Sequence, residues 1–222
     1  MARPRNADGQ RTRQAILDAA LDLFAEKGYF GTSLRDVAGV VGVRESALYN
    51  YFAGKEALFD ALLAAHQDSK AERLTPLVDA PLTDGRHLLL QLAYQTLDSY
   101  TQPREQKLFR ILLSDGVRLA KVGRINLHER MSHGRDRLQD IIRRLIREGW
   151  LRKADVNMLS LAFVSPLVIW RQLHAINADL PMIRHPRAFA RQHVDLFLVG
   201  AATAGHAVPK PSRRVVPRRR AS

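Results

Sequence analysis

Residues 44–51 carry the side chains of this chain that are best suited to recognition chemistry. The polar and aromatic members are Arg44, Glu45, Ser46, Tyr49, Asn50 and Tyr51. Together they offer hydrogen-bond donors, acceptors and flat rings, the groups that contact bases and phosphates of nucleic acid. The same composition also fits the amphipathic exterior of a small helical bundle, and composition alone favours neither interpretation.

Sequence patterns typical of enzymes are missing around this segment and elsewhere. The chain contains no GxSxG, GxxxxGK[ST], GxGxxG or HExxH motif, and no cysteine. The lack of cysteine excludes disulfides, thiol catalysis and a thiol-based redox switch. The nearest histidine pair, His128 and His133, is five residues apart and does not share a helix face. We therefore predict no enzyme activity, no catalytic residue, no metal and no cofactor.

The charge of the chain indicates an anionic partner. The 222 residues carry a net charge of +13, of which residues 1–55 contribute +2, residues 56–206 contribute +5 and residues 207–222 contribute +6. Such a surplus favours nucleic acid or an anionic membrane surface. Residues 207–222 contain three prolines and few apolar residues, which predicts a disordered basic tail, with a nucleic-acid arm as the alternative.

Nothing in the sequence predicts a membrane partner. The longest apolar run, Leu161 to Trp170, has ten residues, about half of the roughly 20 that a membrane-spanning helix needs. The first residues are charged and lack the apolar stretch of a signal peptide. We predict a cytoplasmic, nucleoid-associated protein.

Helical periodicity dominates the first 75 residues. An apolar stripe from Ile16 to Phe24 predicts a helix that stops at Gly28. Ser33 and Asp36 are spaced as a capping box, which predicts a second helix ending at Gly42. A short third helix is predicted over Glu45 to Tyr51, and a fourth opens at Gly54 and Lys55 and extends to about Leu74.

Two short helices joined by a tight glycine-containing turn form the arrangement of a helix-turn-helix. The predicted third helix is too short to be stable alone, because isolated helices below ~12 residues are marginal in water. Its purpose must therefore lie in the residues that it presents once it is held by its neighbours.

The remaining residues predict longer helices interrupted by Pro and Gly. The predicted segments are Arg86 to Tyr100, Arg104 to Lys121, Asn126 to Glu148, Asp155 to Ile176 and Arg187 to Ala204. Residues 161–173 are apolar nearly all round, so this helix must be covered on several sides. We predict a homodimer through the last two helices, at about 155–176 and 187–204.

Three separated stretches carry a family resemblance. They are Ala19-Ala-Leu-Asp-Leu-Phe-Ala-Glu-Lys-Gly-Tyr, Thr32-Ser-Leu-Arg-Asp-Val-Ala, and Val43-Arg-Glu-Ser-Ala-Leu-Tyr-Asn-Tyr-Phe followed by Gly54-Lys-Glu-Ala-Leu. From about Arg11 to Leu63 the chain closely resembles the DNA-binding domain of TetR-family transcriptional regulators. A weaker similarity, at the stretch that starts with Gly149 and Trp150, is to the segment before the dimer helices of many members.

The resemblance implies an all-α protein with an N-terminal helix-turn-helix domain and a C-terminal helical domain for effector binding and dimerisation. The corresponding ranges are a flexible basic arm over 1–10, a DNA-binding domain over 11–71 with its motif at about 33–52, a C-terminal domain over 72–206 and the tail over 207–222. It further implies a homodimeric repressor of a palindromic DNA operator that a small, largely apolar ligand releases. An architectural DNA-binding protein without sequence specificity, or an activator, are the alternatives.

The resemblance also assigns roles to individual residues. Phosphate contacts are implied for Thr32 and Ser33, at the N-terminus of the second helix, and for Tyr49, Tyr51 and Lys55. Free N–H groups and the helix dipole favour an anion at such an N-terminus. The implied base-reading residues are Arg35, Glu45, Ser46, Ala47 and Asn50. Arg35 is suited to bidentate contact with guanine, with a solvated surface arginine as the alternative.

Arg44 departs from the family pattern, in which Ser or Thr often caps the recognition helix. Arginine has no acceptor, so this cap must be missing or come from elsewhere, at a cost of ~1 kcal/mol. Our hypothesis is that Arg44 exchanges the cap for a phosphate contact.

The C-terminal domain offers candidate lining residues for a ligand cavity that the family implies. Any helical core would contain similar residues, so core packing is the alternative for each. Trp170 and His174, four apart on one helix, combine apolar faces with hydrogen-bonding edges. The candidates for lining this cavity are Tyr94, Tyr100, Phe109, Leu112, Met131, Phe163, Trp170 and His174.

Overall fold

The computed structural model describes residues 5–79, 81–121, 132–203 and 205. These residues form ten helices and, outside them, one isolated antiparallel bridge between Leu151 and Ala202. The helices are α1 (Arg5–Lys27), α2 (Leu34–Val41), α3 (Glu45–Leu48), α4 (Lys55–Asp79), α5 (Gly85–Tyr100), α6 (Pro103–Ser114), α7 (Gly116–Lys121), α8 (Ser132–Arg147), α9 (Val156–Ile176) and α10 (Pro186–Ala201). The predicted all-α class, with an N-terminal helix-turn-helix and a helical C-terminal part, is confirmed.

Helix α1 extends into the range of the predicted N-terminal arm. It begins at Arg5 and so includes residues 5–10, and a flexible basic arm over 1–10 stays a prediction. The first turn carries Asp8, whose carboxylate complements the positive end of the helix dipole, and its backbone carbonyl accepts a hydrogen bond from the Thr12 hydroxyl at 2.9 Å. The predicted tail over 207–222 lies outside the described residues.

The capping box at the start of α2 is confirmed. Ser33 is the N-cap, its hydroxyl accepts a hydrogen bond from the Asp36 amide, and the Asp36 side chain accepts from the Ser33 amide. Gly42 ends the helix in the left-handed region, with φ at +77°, which glycine adopts without the steric cost of a Cβ. Helix α3, in contrast, ends at Leu48 and not at the predicted Tyr51.

Two other helix ends also differ from the prediction. The single helix expected from Arg104 to Lys121 is broken at Asp115 into α6 and α7. Helix α10 stops at Ala201, because Ala202 is extended and pairs with Leu151. Helix α4 runs continuously to Asp79, so the expected division at 71/72 falls inside one helix, and that division stays a prediction.

The buried apolar side chains form two clusters. The second cluster fills the space between α5, α8, α9 and α10 and includes Leu89, Ile142 and Trp170. The first cluster joins α1 to α4 around Phe24, Tyr29 and Phe59, and it also contains Leu108, Ile111 and Leu119 from α6 and α7. The N-terminal helices therefore share their core with part of the chain far along the sequence.

Helix α9 buries only one side. Phe163, Leu167 and Trp170 are buried, whereas Leu161 and Ile169 are more than half exposed. By length and composition alone α9 could cross a membrane, a test that core helices also pass. The structure thus leaves an apolar face of α9 open beside α10.

We expect Gly85→Ala to destabilise the fold. A Cβ at Gly85 would lie 2.6 Å from the Trp150 ring, and such overpacking typically costs about 1–3 kcal/mol. Gly39→Ala is the matched control, since a Cβ there meets nothing within 4 Å and alanine favours a helix interior by roughly 0.5–1 kcal/mol. Urea unfolding measures both. Equal stability of the two variants would contradict the close packing of α5 against Trp150.

Candidate DNA interface

The short helix α3 is held in place by burial of its apolar residues. Leu48 is fully buried and Phe52 is 5% exposed, and both belong to the first cluster. The Phe52 ring also lies under the Arg13 guanidinium, whose Cζ is 5.1 Å from the ring centre. Packing of this kind replaces the stability that a helix of four residues lacks on its own.

The side chains that α3 presents outward are mostly exposed. Glu45, Ser46 and Asn50 are exposed, as is Arg35 on α2, whereas Ala47 is half-buried. Four of the five residues implied for base reading lie on α2 and α3, and Asn50 lies two residues beyond the end of α3; all but Ala47 are open to solvent. Their contacts with bases stay a prediction.

Arg44 is the N-cap residue of α3 and makes no side-chain capping hydrogen bond. Its side chain is exposed, as is that of Tyr49, while Tyr51 is half-buried against the first cluster. The missing cap agrees with the sequence hypothesis, although the phosphate contact proposed for Arg44 stays a prediction.

Ser33 is exposed, but its polar groups already have partners. Its hydroxyl donates to Asp36 Oδ2 at 2.6 Å and its amide donates to the same oxygen at 2.8 Å. These hydrogen bonds hold the pKa of Asp36 below its ordinary value. A phosphate at the N-terminus of α2 would therefore lie beside the Asp36 carboxylate, which already accepts from the Ser33 amide and hydroxyl.

The Thr32 side chain lies inside the fold. Thr32 is 2% exposed, and its hydroxyl donates to the carbonyls of Gly28 and Leu23 at 2.9 and 3.2 Å. Leu23 lies near the C-terminal end of α1 and Gly28 directly follows its last residue, where helix carbonyls need donors. The hydroxyl thus holds the end of α1 from inside the fold, and a phosphate contact at Thr32 stays a prediction that this orientation does not support.

Lys55 also points into the fold. Its ammonium donates to the carbonyls of Tyr29 and Thr32 at 2.9 and 2.8 Å and lies 4.5 Å from the centre of the Tyr29 ring. A phosphate contact by Lys55 stays a prediction that this orientation does not support. The sequence does not reveal the inward contacts, because their acceptors are backbone carbonyls more than 20 residues away.

The ligand candidates lie in several different environments. Phe163 and Trp170 are buried core residues, and the Trp170 Nε1 donates to the Ile183 carbonyl at 3.1 Å. His174 stacks on Trp170 with ring centres 4.8 Å apart. Tyr94 lies under Arg187, and Leu112 packs on the first cluster. Met131 lies outside the described residues.

Phe109 and Tyr100, the remaining candidates, border a buried polar cluster around Arg171 and Glu105, whose charged residues the sequence did not predict. Arg171 lies between the rings of Phe109 and Tyr100, with Cζ 4.1 and 4.5 Å from their centres. Burial lowers the pKa of this guanidinium and raises that of the Tyr100 hydroxyl. The Arg171 Nη2 donates to the Glu105 carbonyl oxygen, while its Nε is buried without a hydrogen-bond partner.

Glu105 is the acidic centre of this polar cluster. It is 7% exposed, and its carboxylate lies 2.9 Å from His66 Nδ1, 3.3 Å from Arg73 Nη2 and 3.6 Å from Arg171 Nη2. The cluster therefore connects α6 with α4 and α9. The buried side-chain oxygens of Gln67 and Gln95, on α4 and α5, make no hydrogen bond.

Two cavities are described, and none of the ligand candidates lines them. One, of about 20 Å³, lies between α4 and α5 next to Arg73 and Gln95. The other is an open groove of about 530 Å³ on α9 and α10, with Pro166, Phe189 and Leu196 among its lining residues. Among the described residues, no group of three or more His, Asp or Glu side chains could hold a metal ion.

Helices α2 and α3 pack on one apolar core, and α3 exposes polar side chains. Helix-turn-helix DNA-binding proteins have this arrangement. Comparison with known proteins specifies the class. Residues 16–62 match the bacterial regulatory proteins of the tetR family, and residues 87–200, just over half of the chain, match the C-terminal domain of AefR-like transcriptional repressors. The chain belongs to the TetR family of DNA-binding transcriptional regulators and is not an enzyme.

Individual relatives agree with this assignment. The chain is 31% identical over 149 residues to the HTH-type transcriptional regulator SrpR of Pseudomonas putida, covering 67% of this chain and 66% of that protein. It is 27% identical over 151 residues to the HTH-type transcriptional repressor KstR2 of Mycobacterium tuberculosis (strain ATCC 25618 / H37Rv), covering 66% and 73%. The solved SmeT–triclosan complex has a TM-score of 0.71 at 20% identity, covering 93% and 99%, which shows a shared fold.

Arg44→Ser tests the exchange of a helix cap for a phosphate contact. A serine hydroxyl can cap α3, which typically adds ~1 kcal/mol to the free energy of unfolding. Loss of a phosphate contact should weaken DNA binding and reduce its salt dependence by about 0.9 in log–log slope. Thermal unfolding and binding titrations at several salt concentrations measure the two effects, with Arg147→Ser on α8 as the control. Unchanged affinity and salt dependence would contradict the hypothesis.

Proposed function

We propose that this protein is a homodimeric repressor that binds a palindromic operator through the major groove and is released by a small ligand. One observation carries the proposal: the polar side chains of α3 are exposed while Leu48 anchors the same helix in the core. This helix of four residues buries Leu48 and exposes Glu45 and Ser46, so its polar side chains are open to a partner.

Base reading would be divided between α2 and α3. Arg35 suits guanine, Asn50 suits adenine, and the methyl group of Ala47 suits the thymine methyl. Glu45 and Ser46 add an acceptor and a hydroxyl beside them. Phosphate contacts by Ser33, Arg44, Tyr49 and Tyr51 would fix the register of these side chains on the duplex without reading sequence.

A second copy of the chain is the occupant that we propose for the apolar face of α9 and α10. Leu161, Ile169, Leu196 and Val199 are each more than half exposed along these helices, beside the groove of about 530 Å³. A two-fold axis at this face would present two copies of α3 to half-sites about one DNA turn, roughly 34 Å, apart. The membrane is the alternative occupant, and the oligomeric state in solution distinguishes the two.

The proposed ligand would bind near the polar cluster around Glu105. There the fold leaves Arg171 Nε and Gln95 Oε1 buried without partners, and unpaired buried polar atoms are costly. The described cavity of about 20 Å³ beside Gln95 is about the size of one water molecule, so a ligand must displace side chains. SmeT was solved with triclosan and KstR2 is named a repressor, and both descriptions fit a repressor that binds a small molecule.

Allosteric release would follow from helix geometry. Helix α4 begins at Lys55 beside the helix-turn-helix and carries His66 and Arg73 into the polar cluster. A ligand that favours another position of α4 would favour another spacing of the two α3 helices and thereby disfavour the operator.

Footprinting on the DNA that flanks the protein's own gene tests the proposal, repeated with candidate metabolites. A protected palindrome, preferred by ~10³ or more over bulk DNA at physiological salt, is expected for a specific regulator. Equal binding to all fragments would favour an architectural protein. Transcription assays with and without protein separate repression from activation.

Arg35→Ala should relax sequence preference at a single base pair. Loss of a bidentate guanine contact typically costs about 1–3 kcal/mol of discrimination at that position, while other positions keep their preference. Binding to a set of singly substituted operators measures the change. A uniform loss across all operators would instead identify Arg35 as a phosphate contact, and no loss would identify a solvated surface arginine.

Val199→Asp should convert the dimer to a monomer and abolish tight operator binding. Val199 is 62% exposed on α10, and burial of a carboxylate at this mostly apolar interface is costly. Val117→Asp on α7 is the matched control, because Val117 is 66% exposed away from this face. Analytical ultracentrifugation measures the masses. A Val199→Asp variant that stays dimeric would place the interface elsewhere.

A further inference from the structure

The turn between α1 and α2, residues 28–33, is held by side chains from two distant parts of the chain. Tyr29 is 1% exposed, and its amide donates to Asp115 Oδ2 at 2.8 Å. Asp115 occupies the break between α6 and α7, 86 residues further along. The turn is therefore connected directly to the part of the chain that follows the polar cluster on α6.

Lys55 holds the opposite side of the same turn. Its ammonium donates to the Tyr29 carbonyl at 2.9 Å and to the Thr32 carbonyl at 2.8 Å. Both peptide groups of Tyr29 are thereby engaged by charged side chains, the amide by a carboxylate and the carbonyl by an ammonium. Hydrogen bonds to charged groups are stronger than those between neutral groups.

The position of this turn determines where α2 begins. Thr32, whose carbonyl Lys55 holds, directly precedes Ser33, the N-cap of α2. The Thr32 hydroxyl meanwhile caps the end of α1. The hydrogen bonds of Thr32 and Lys55 thus connect the end of α1, the first residue of α4 and the start of α2. Helix α3 in turn packs on α2 through the first cluster.

We propose that Lys55 and Asp115 are positioning residues for operator binding: together they hold the turn before α2, and through it the orientation of α2 and α3. This proposal rests on the proposed function, because the property that it concerns is operator affinity. Neither residue needs to contact DNA. Because Asp115 lies between α6 and α7, the positions of these two helices also affect the orientation of α2 and α3.

The salt dependence of binding separates positioning from phosphate contact. A lysine that neutralises a phosphate contributes about 0.9 to the slope of log affinity against log salt concentration. A lysine that acts through the turn contributes to affinity but leaves this slope unchanged. Order in the turn is measured independently, without DNA, by the hydrogen exchange of backbone amides.

In full-length Lys55→Met we expect weaker operator binding, an unchanged salt slope and faster exchange of amides in residues 29–50. Lys121→Met is the matched control, because it removes the same charge from an exposed lysine at the end of α7. A slope reduced by about 0.9, with unchanged exchange, would overturn the proposal and identify Lys55 as a phosphate contact.

Asp115 supplies the second, independent pair of variants. In Asp115→Ala the Tyr29 amide loses its acceptor and should exchange about tenfold faster or more, with weaker operator binding. Asp115→Asn retains an oxygen that can accept from the same amide, so it should restore most of both properties. Equal losses in the two variants, or no loss in Asp115→Ala, would overturn the role of Asp115 as an acceptor.

These measurements remain decisive when a variant or the operator proposal fails. If Lys55→Met does not fold, the Asp115 pair tests the same turn. If the wild-type protein prefers no DNA fragment, the proposed function fails, whereas amide exchange in the free protein still reports whether Lys55 and Asp115 hold the turn.

Discussion

The structure depends on a helix of four residues that cannot form alone. Helix α3 has no side-chain cap at Arg44, and a helix of four residues forms very few internal hydrogen bonds, because its first amides and last carbonyls have no partner within the helix. Burial of Leu48 and Phe52 must therefore hold it, and that burial requires α1, α2 and α4 at fixed positions. Since Leu108 and Ile111 of α6 complete the same core, the reading helices are not an independent unit.

Helix α6 links this core to the rest of the molecule through charged groups of two kinds. On its exposed side, Arg104 and Lys107 pair with Asp18 and Asp22 of α1 at 2.6 Å, and such surface pairs contribute about 0–1 kcal/mol each. On its buried side, Glu105 meets cations from α4 and α9. Removal of one partner from a buried pair leaves an uncompensated charge, so the buried contacts fix the position of α6 more strongly.

Local features of the chain could be predicted from the sequence, and long-range ones could not. The capping box of Ser33 and Asp36 depends on residues three apart, so its spacing is visible in the sequence. The inward orientation of Lys55 and the burial of the Thr32 hydroxyl depend on carbonyls that only the folded turn brings near. The polar cluster likewise joins Glu105 to Arg171, and no periodicity relates these positions. For the same reason the ligand candidates, chosen by residue type, include core residues such as Trp170.

The distribution of charge favours specific over general binding. Asp18 and Asp22 on α1 pair with cations of α6, and Asp36 is engaged by Ser33 at the start of α2. Lys55 points into the fold, so its ammonium contributes less to the sequence-independent attraction between cations and DNA phosphates. In the proposed function, the donors and acceptors exposed on α2 and α3 would contribute energies that depend on the base opposite each one. A chain with a net charge of +13 would then discriminate between sequences because little of that charge belongs to these two helices.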